Sequence, residues 1–164
     1  MRFLAVGLIL LTLCAFTVAQ QKNTARSGDP SSAKTAAGTA AKSYTLTIRV
    51  EDVNDKPGNI GVLVFSPSDL RGWPEDRTLA LKDIVVPAHP GTVTVTVPDL
   101  PAGEYGVALI HDVNQNHKID KNFLGVPKEQ WGMSNNPHAT IKAPPFSKAK
   151  FTLDSDKEIQ ITLQ

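Results

Sequence analysis

The sequence predicts an all-β domain, an antiparallel β-sandwich of about seven strands. Three observations predict it. Thr92-Val-Thr-Val-Thr-Val97 alternates apolar and polar side chains with period two, as do residues 45–50. Such alternation buries one face of a strand and wets the other. Turn-forming residues recur roughly every ten positions. No segment beyond residue 42 sustains a helical period. A closed barrel is the alternative arrangement of the same strands.

The elements follow in order along the 164 residues. Met1 and Arg2 supply a positive end, and residues 3–18 are apolar apart from Gly7, Thr12 and Thr17. Thr17-Val-Ala19 offers a small-residue cleavage site, so residues 1–19 read as a cleavable signal peptide. The apolar run is about 16 residues, short of the roughly 20 that a spanning helix needs, so no membrane span is expected after cleavage. Residues 20–42 are rich in Ala, Ser, Thr, Gly and Lys and hold no aromatic side chain. Such a stretch buries too little to offset its ordering entropy and reads as a disordered linker. The domain is expected over residues 43–164, in a periplasmic or secreted protein.

Within it, residues 45–50 make the first strand, with Leu46, Ile48 and Val50 inward. Asp52-Val-Asn-Asp-Lys-Pro-Gly58 turns the chain into a second, more continuously apolar strand over residues 60–65. Residues 79–86 are the third strand, ended by Pro87, and residues 92–97 the fourth. Residues 98–103 read as a turn and 104–111 as the next strand. A long loop precedes closing strands at 140–141, 150–153 and 158–163.

Composition excludes several function classes. Cys14 is the only cysteine and falls in the signal peptide, so the mature chain forms no disulfide. Leu13 precedes it, where lipid attachment needs a small residue. Cleavage removes Arg2 and no acid, leaving 17 − 1 = 16 basic against 16 acidic side chains. That balance offers no cationic surface for nucleic acid.

The most informative stretch is Asp112-Val-Asn-Gln-Asn-His-Lys-Ile-Asp120. Asp112, Asn114, Asn116 and Asp120 put side-chain oxygens at its first, third, fifth and ninth positions, with the Lys118 carbonyl at the seventh. That spacing matches the first part of a calcium loop of the EF-hand pattern. His117 stands at the sixth position where that pattern needs glycine, and Phe123 at the twelfth where it needs glutamate. Glu129 or Asp76 would have to complete the shell. The other reading is an ion-free, Asx-rich turn. His111, His117 and His138 lack zinc spacing and read as surface histidines. No nucleophile elbow and no phosphate-cradling glycine loop is present, so no catalytic residue is assigned. Trp73 and Trp131, each beside a glycine in a loop, are candidate platforms for a sugar or peptide, or plugs for the ends of the sandwich.

These pieces stand in a familiar order: Gly61-Val-Leu-Val-Phe65, Gly72-Trp-Pro74, Leu100-Pro-Ala-Gly-Glu-Tyr105, His111-Asp112 with the Asn-rich loop, Leu124-Gly-Val-Pro127, Trp131-Gly-Met-Ser-Asn-Asn136 and Ala143-Pro-Pro-Phe146. The set resembles the bacterial secreted family called domain of unknown function 2141, over about residues 44–163. The resemblance implies an exported sandwich of unassigned activity. Residues 100–107 are also similar to the turn-strand of carboxypeptidase regulatory-like, transthyretin-type domains, which implies an immunoglobulin-like or transthyretin-like sandwich. The functional expectation is a non-enzymatic accessory or binding domain with a calcium-type loop, whose partner is an extracytoplasmic protein or glycan. A carbohydrate or peptide module using Trp73 and Trp131 is the alternative. A metal-dependent hydrolase around Asp112 and His111 comes third.

Overall fold

The computed structural model describes residues 42–138 and 142–164. The expected signal peptide, the linker up to residue 41 and the expected strand at Thr140 and Ile141 lie outside the described residues. Among the described residues no helix is long and apolar enough to cross a membrane.

The domain runs β1 (Ser43–Val53), β2 (Asn59–Phe65), β3 (Lys82–Pro87), β4 (Gly91–Pro101), β5 (Gly103–Asp112), β6 (Trp131–Met133), α1 (Phe146–Ala149), β7 (Phe151–Leu153) and β8 (Lys157–Thr162). One sheet has the order β4-β1-β8, the other β3-β2-β5-β6 with β7 also on β5. The period-two pattern makes the core directly. Leu46, Ile48 and Val50 of β1 and Val93, Val95 and Val97 of β4 face Ile60, Val62 and Val64 of β2 and Val107 and Leu109 of β5, all buried in one cluster. The threonines between the β4 valines are exposed.

Three features differ from the sequence expectation. The fourth strand does not stop at Val97 but continues through Pro98 to Pro101. On an edge strand a proline breaks no ladder, and a register shift opposite Tyr44 and Leu46, with Asp99 at φ 58°, accommodates the extra residue. Leu100 is thereby buried. The last strand, β8, pairs with β1 in parallel rather than antiparallel fashion. It arrives from β7 on the other sheet, so no hairpin fixes its direction. Finally, Trp131, expected in a loop, starts the short strand β6 against β5.

The segment after β6 joins four elements. Along its other edge β5 pairs with β6 over residues 108–110 and with β7 over residues 103–105, which leaves Val107 between the two. Ser134 fills that junction. Its hydroxyl accepts the Val107 N–H at 2.9 Å and donates to the Ala149 carbonyl. Asn135 donates to the Lys148 and Lys150 carbonyls at the end of α1. Asn136 accepts the Thr162 N–H and donates to the Gln160 carbonyl, covering the outer edge of β8. Trp131 and Gln164 exchange backbone hydrogen bonds, so the two sheets meet along this side.

Candidate functional site

A strand facing core on one side and water on the other alternates; β2 does not. Asn59, Gly61, Leu63 and Phe65 lie on the outer face of its sheet, opposite Asp112, Ile110, Ala108 and Gly106 of β5. This face is too apolar to be left wet, and loops from residues 66–81 and 113–127 fold over it. At one end the cover is tight. Trp73 stands edge-on to Phe65 (centroids 5.4 Å, 80°) and to Phe146 (5.3 Å, 89°). Its indole N–H donates to the Pro144 carbonyl at 2.9 Å. The stack lies against bare backbone at Gly106, where a Cβ would sit 2.7 Å from the Phe146 ring.

Farther along the same face the cover parts. A groove of about 340 Å³ remains, floored by Gly61, Leu63, Ala108 and Ile110 and flanked by Trp131 and Met133. Pro74, Glu75 and Arg77 form one wall and Lys118, Ile119 and Val126 the other. Lys121 spans from the second wall to the carboxylate of Glu75 at 2.7 Å. Arg77 pairs with Asp83 of β3 at 2.6 Å. Of the two tryptophans, then, Trp131 is half-buried in the groove, while Trp73 is interlocked in the aromatic stack.

The loop after β5 closes one end of the groove and brings together the candidate metal ligands. Asp112 is buried; one carboxylate oxygen accepts the Asn116 N–H at 3.1 Å, the other the His117 N–H at 2.7 Å. The side-chain oxygens of Asn114 and Asn116 accept the N–H two residues on, and their amide groups donate to Asp120 at 2.8 and 3.0 Å. The Glu129 carboxylate bridges the loop's two ends, accepting from Val113 N–H at 2.9 Å and Asp120 N–H at 3.0 Å. Asp76 instead accepts from Thr78, which lowers its pKa. The sixth position does take the left-handed backbone that glycine favours, with His117 at φ 61°, and Gln115 sits at φ 58°. Gly58 lets the 54–58 turn pass against this loop, since a Cβ there would overlap the Asp112 carbonyl. Among the described residues no group of three or more His, Cys, Asp or Glu side chains is arranged to hold a metal ion.

His111 corrects the expectation of surface histidines. It is fully buried, with Nδ1 3.4 Å from the Gln130 side-chain oxygen and Nε2 without a hydrogen-bond partner. It stands on the inward face of β5, because the outward positions belong to Ile110 and Asp112. His117 and His138 are exposed.

The model of a family described as an uncharacterized protein conserved in bacteria, DUF2141, matches residues 48–162. The chain belongs to this family. In this DUF2141 domain the match runs from β1 to the end of β8, so it takes in both sheets, the Asp112 loop and the groove. Neither the curated proteins nor the solved structures include a match. The floor residues Gly61, Leu63 and Ile110 were not singled out from the sequence as functional. The signal that points to them is the unbroken apolar run of residues 60–65, which needs cover on both faces.

Proposed function

We propose that this DUF2141 protein is an exported, non-enzymatic binding domain whose ligand lies in the groove on the outer face of the larger sheet. One observation carries the reading. An apolar sheet face is covered tightly around Trp73 and left open beside Trp131, where about 340 Å³ has an apolar floor and a rim of eight charged residues. An apolar concave surface with polar groups at its edge suits a ligand, and the volume lies at the lower end of the usual range of ligand sites, roughly 300–1,000 Å³. Export rests on the apolar N-terminal run and small-residue cleavage site. The hydrolase reading loses support because His111 is fully buried on the face of β5 opposite Asp112. The test is chemical-shift mapping of the purified protein against a diverse fragment library. Shifts should cluster on Gly61, Leu63, Ile110 and Trp131. Scattered shifts, or none, would remove the groove as a site.

A second reading concerns the Asp112 loop and is favoured by its backbone. His117 already holds a left-handed conformation at the sixth position, where a calcium loop turns sharply. In this reading calcium replaces the amide groups that now surround Asp120, using Asp112, Asn114, Asn116, the Lys118 carbonyl and Asp120. Thermal unfolding in calcium and in chelator tests it. Binding to the folded state alone raises the midpoint, and equal midpoints dismiss the ion.

A further inference from the structure

We infer that the groove takes a single-chain anionic amphiphile, in the simplest case a fatty carboxylate; the inference rests on the groove reading above. The floor decides the body of the ligand. Gly61, Leu63, Ala108 and Ile110 offer no hydrogen-bonding side chain, and their strand backbones are paired within the sheet. A sugar or a peptide would leave its own donors and acceptors unmatched there, at a cost that an acyl chain does not meet. Taking a methylene as about the size of a water, roughly 30 Å³, the space holds on the order of ten carbons.

The rim decides the head. Glu75 with Lys121 and Arg77 with Asp83 cancel as ion pairs. Asp112 and Glu129 are buried, and their oxygens are engaged by backbone N–H groups. Lys118 and Lys142 also line the groove, and neither meets a carboxylate within ion-pair distance among the described residues. They are the cations left for an anionic group.

The lip completes the site. Gly125 and Val126 line the groove, and beside them Phe123 is 96% and Leu124 66% exposed. This tip is held in shape, since the Asn122 side-chain oxygen accepts the N–H of Leu124 at 2.9 Å and of Val126 at 3.0 Å. An apolar tip fixed beside an apolar groove gives an alkyl chain a continuous path inward.

The experiment is calorimetric titration of the purified protein with decanoate, 1-decanol and decyltrimethylammonium, which share a chain and differ in head charge. Decanoate should bind one site about tenfold or more tighter than the other two, as two lysines near an anion imply. Lys118→Gln with Lys142→Gln should erase the preference while leaving decanol binding in place. Gly61→Leu should abolish binding with an unchanged circular dichroism spectrum, because a Cβ there meets only Ile110 at an ordinary 3.5 Å and the rest of the side chain fills the groove. Phe123→Ser should weaken decanoate several-fold. Equal affinity for the three heads overturns the inference, as does a Gly61→Leu protein that binds normally. Binding to anionic vesicles without binding to free decanoate also overturns it. If decanoate gives no heat while fragment shifts still gather on the groove, this inference falls and the groove reading stands.

Discussion

Replacing Trp73 with leucine separates the structural tryptophan from the one in the groove. Trp73→Leu keeps an apolar side chain but removes three specific interactions. The edge-on pairs with Phe65 and Phe146 are each worth about 0.5–1.5 kcal/mol beyond their buried area. The indole hydrogen bond to Pro144 adds about 0.5–1.5 kcal/mol. Taking about 1 kcal/mol for each gives about 3 kcal/mol, a large part of a domain's stability of roughly 5–15 kcal/mol. Trp131 makes no side-chain hydrogen bond or aromatic pair among the described residues, and its strand is held through backbone atoms. Trp131→Leu should therefore cost about 1 kcal/mol or less, mainly lost area. Urea unfolding of the wild type and both variants measures this through the midpoint at constant slope. In a domain of this size each kcal/mol moves the thermal midpoint by about 3–5 °C, so Trp73→Leu should lower it by about 10 °C. Equal destabilisation by the two variants, or a loss under about 1 kcal/mol at Trp73, would refute the assignment of one ring to the stack and the other to the groove.

Further outcomes follow from single contacts. Ser134→Ala leaves the buried Val107 N–H without its side-chain acceptor and should cost about 1–3 kcal/mol in urea unfolding; Ser134→Thr should recover part of it. His117→Gly should stabilise the domain by about 0.5–1 kcal/mol, since left-handed backbone costs a non-glycine residue about 1–2 kcal/mol and the added freedom of the unfolded chain offsets only part. A lower midpoint would show that the His117 side chain matters to the loop. Tyr105 is buried, which pushes its pKa up, and its neutral hydroxyl donates to the Pro101 carbonyl at 2.8 Å. With the folded pKa above the unfolded value of about 10, this contribution is complete below pH 10 and is lost as pH rises through the folded pKa. Thermal midpoints of wild type and Tyr105→Phe should thus converge above about pH 10, and parallel curves would contradict the account.

The sandwich was legible wherever one face of a strand is buried and the other wet. The valines of β4 and the Leu46, Ile48 and Val50 series of β1 declare their inward face in sequence and keep it in the fold. Two kinds of position broke that rule. Pro98 reads as a terminator because proline lacks an N–H, yet on an edge strand that donor is not needed and the strand runs on to Pro101. Trp131, Gly132 and Met133 are too few to show any period. What makes them a strand is the exposed edge of β5, a tertiary fact.

The proposed binding face is harder to read for a related reason. A sheet covered on both sides carries apolar residues at every position, so periodicity cannot say which of Ile60, Gly61, Val62 and Leu63 belongs to the core and which to the groove. Strand register makes that division: Gly61 and Leu63 stand opposite Ile110 and Ala108 on the outer face, and Val62 and Val64 opposite Leu109 and Val107 on the inner one. The Asp112 loop posed the reverse difficulty. Its oxygens are conspicuous in sequence, but spacing alone does not reveal that backbone N–H groups and side-chain amides already occupy them. The oxygen-rich loop thus shapes one end of the groove through its own hydrogen bonds, while the floor of the proposed site is built from residues whose chemistry is least distinctive in the sequence.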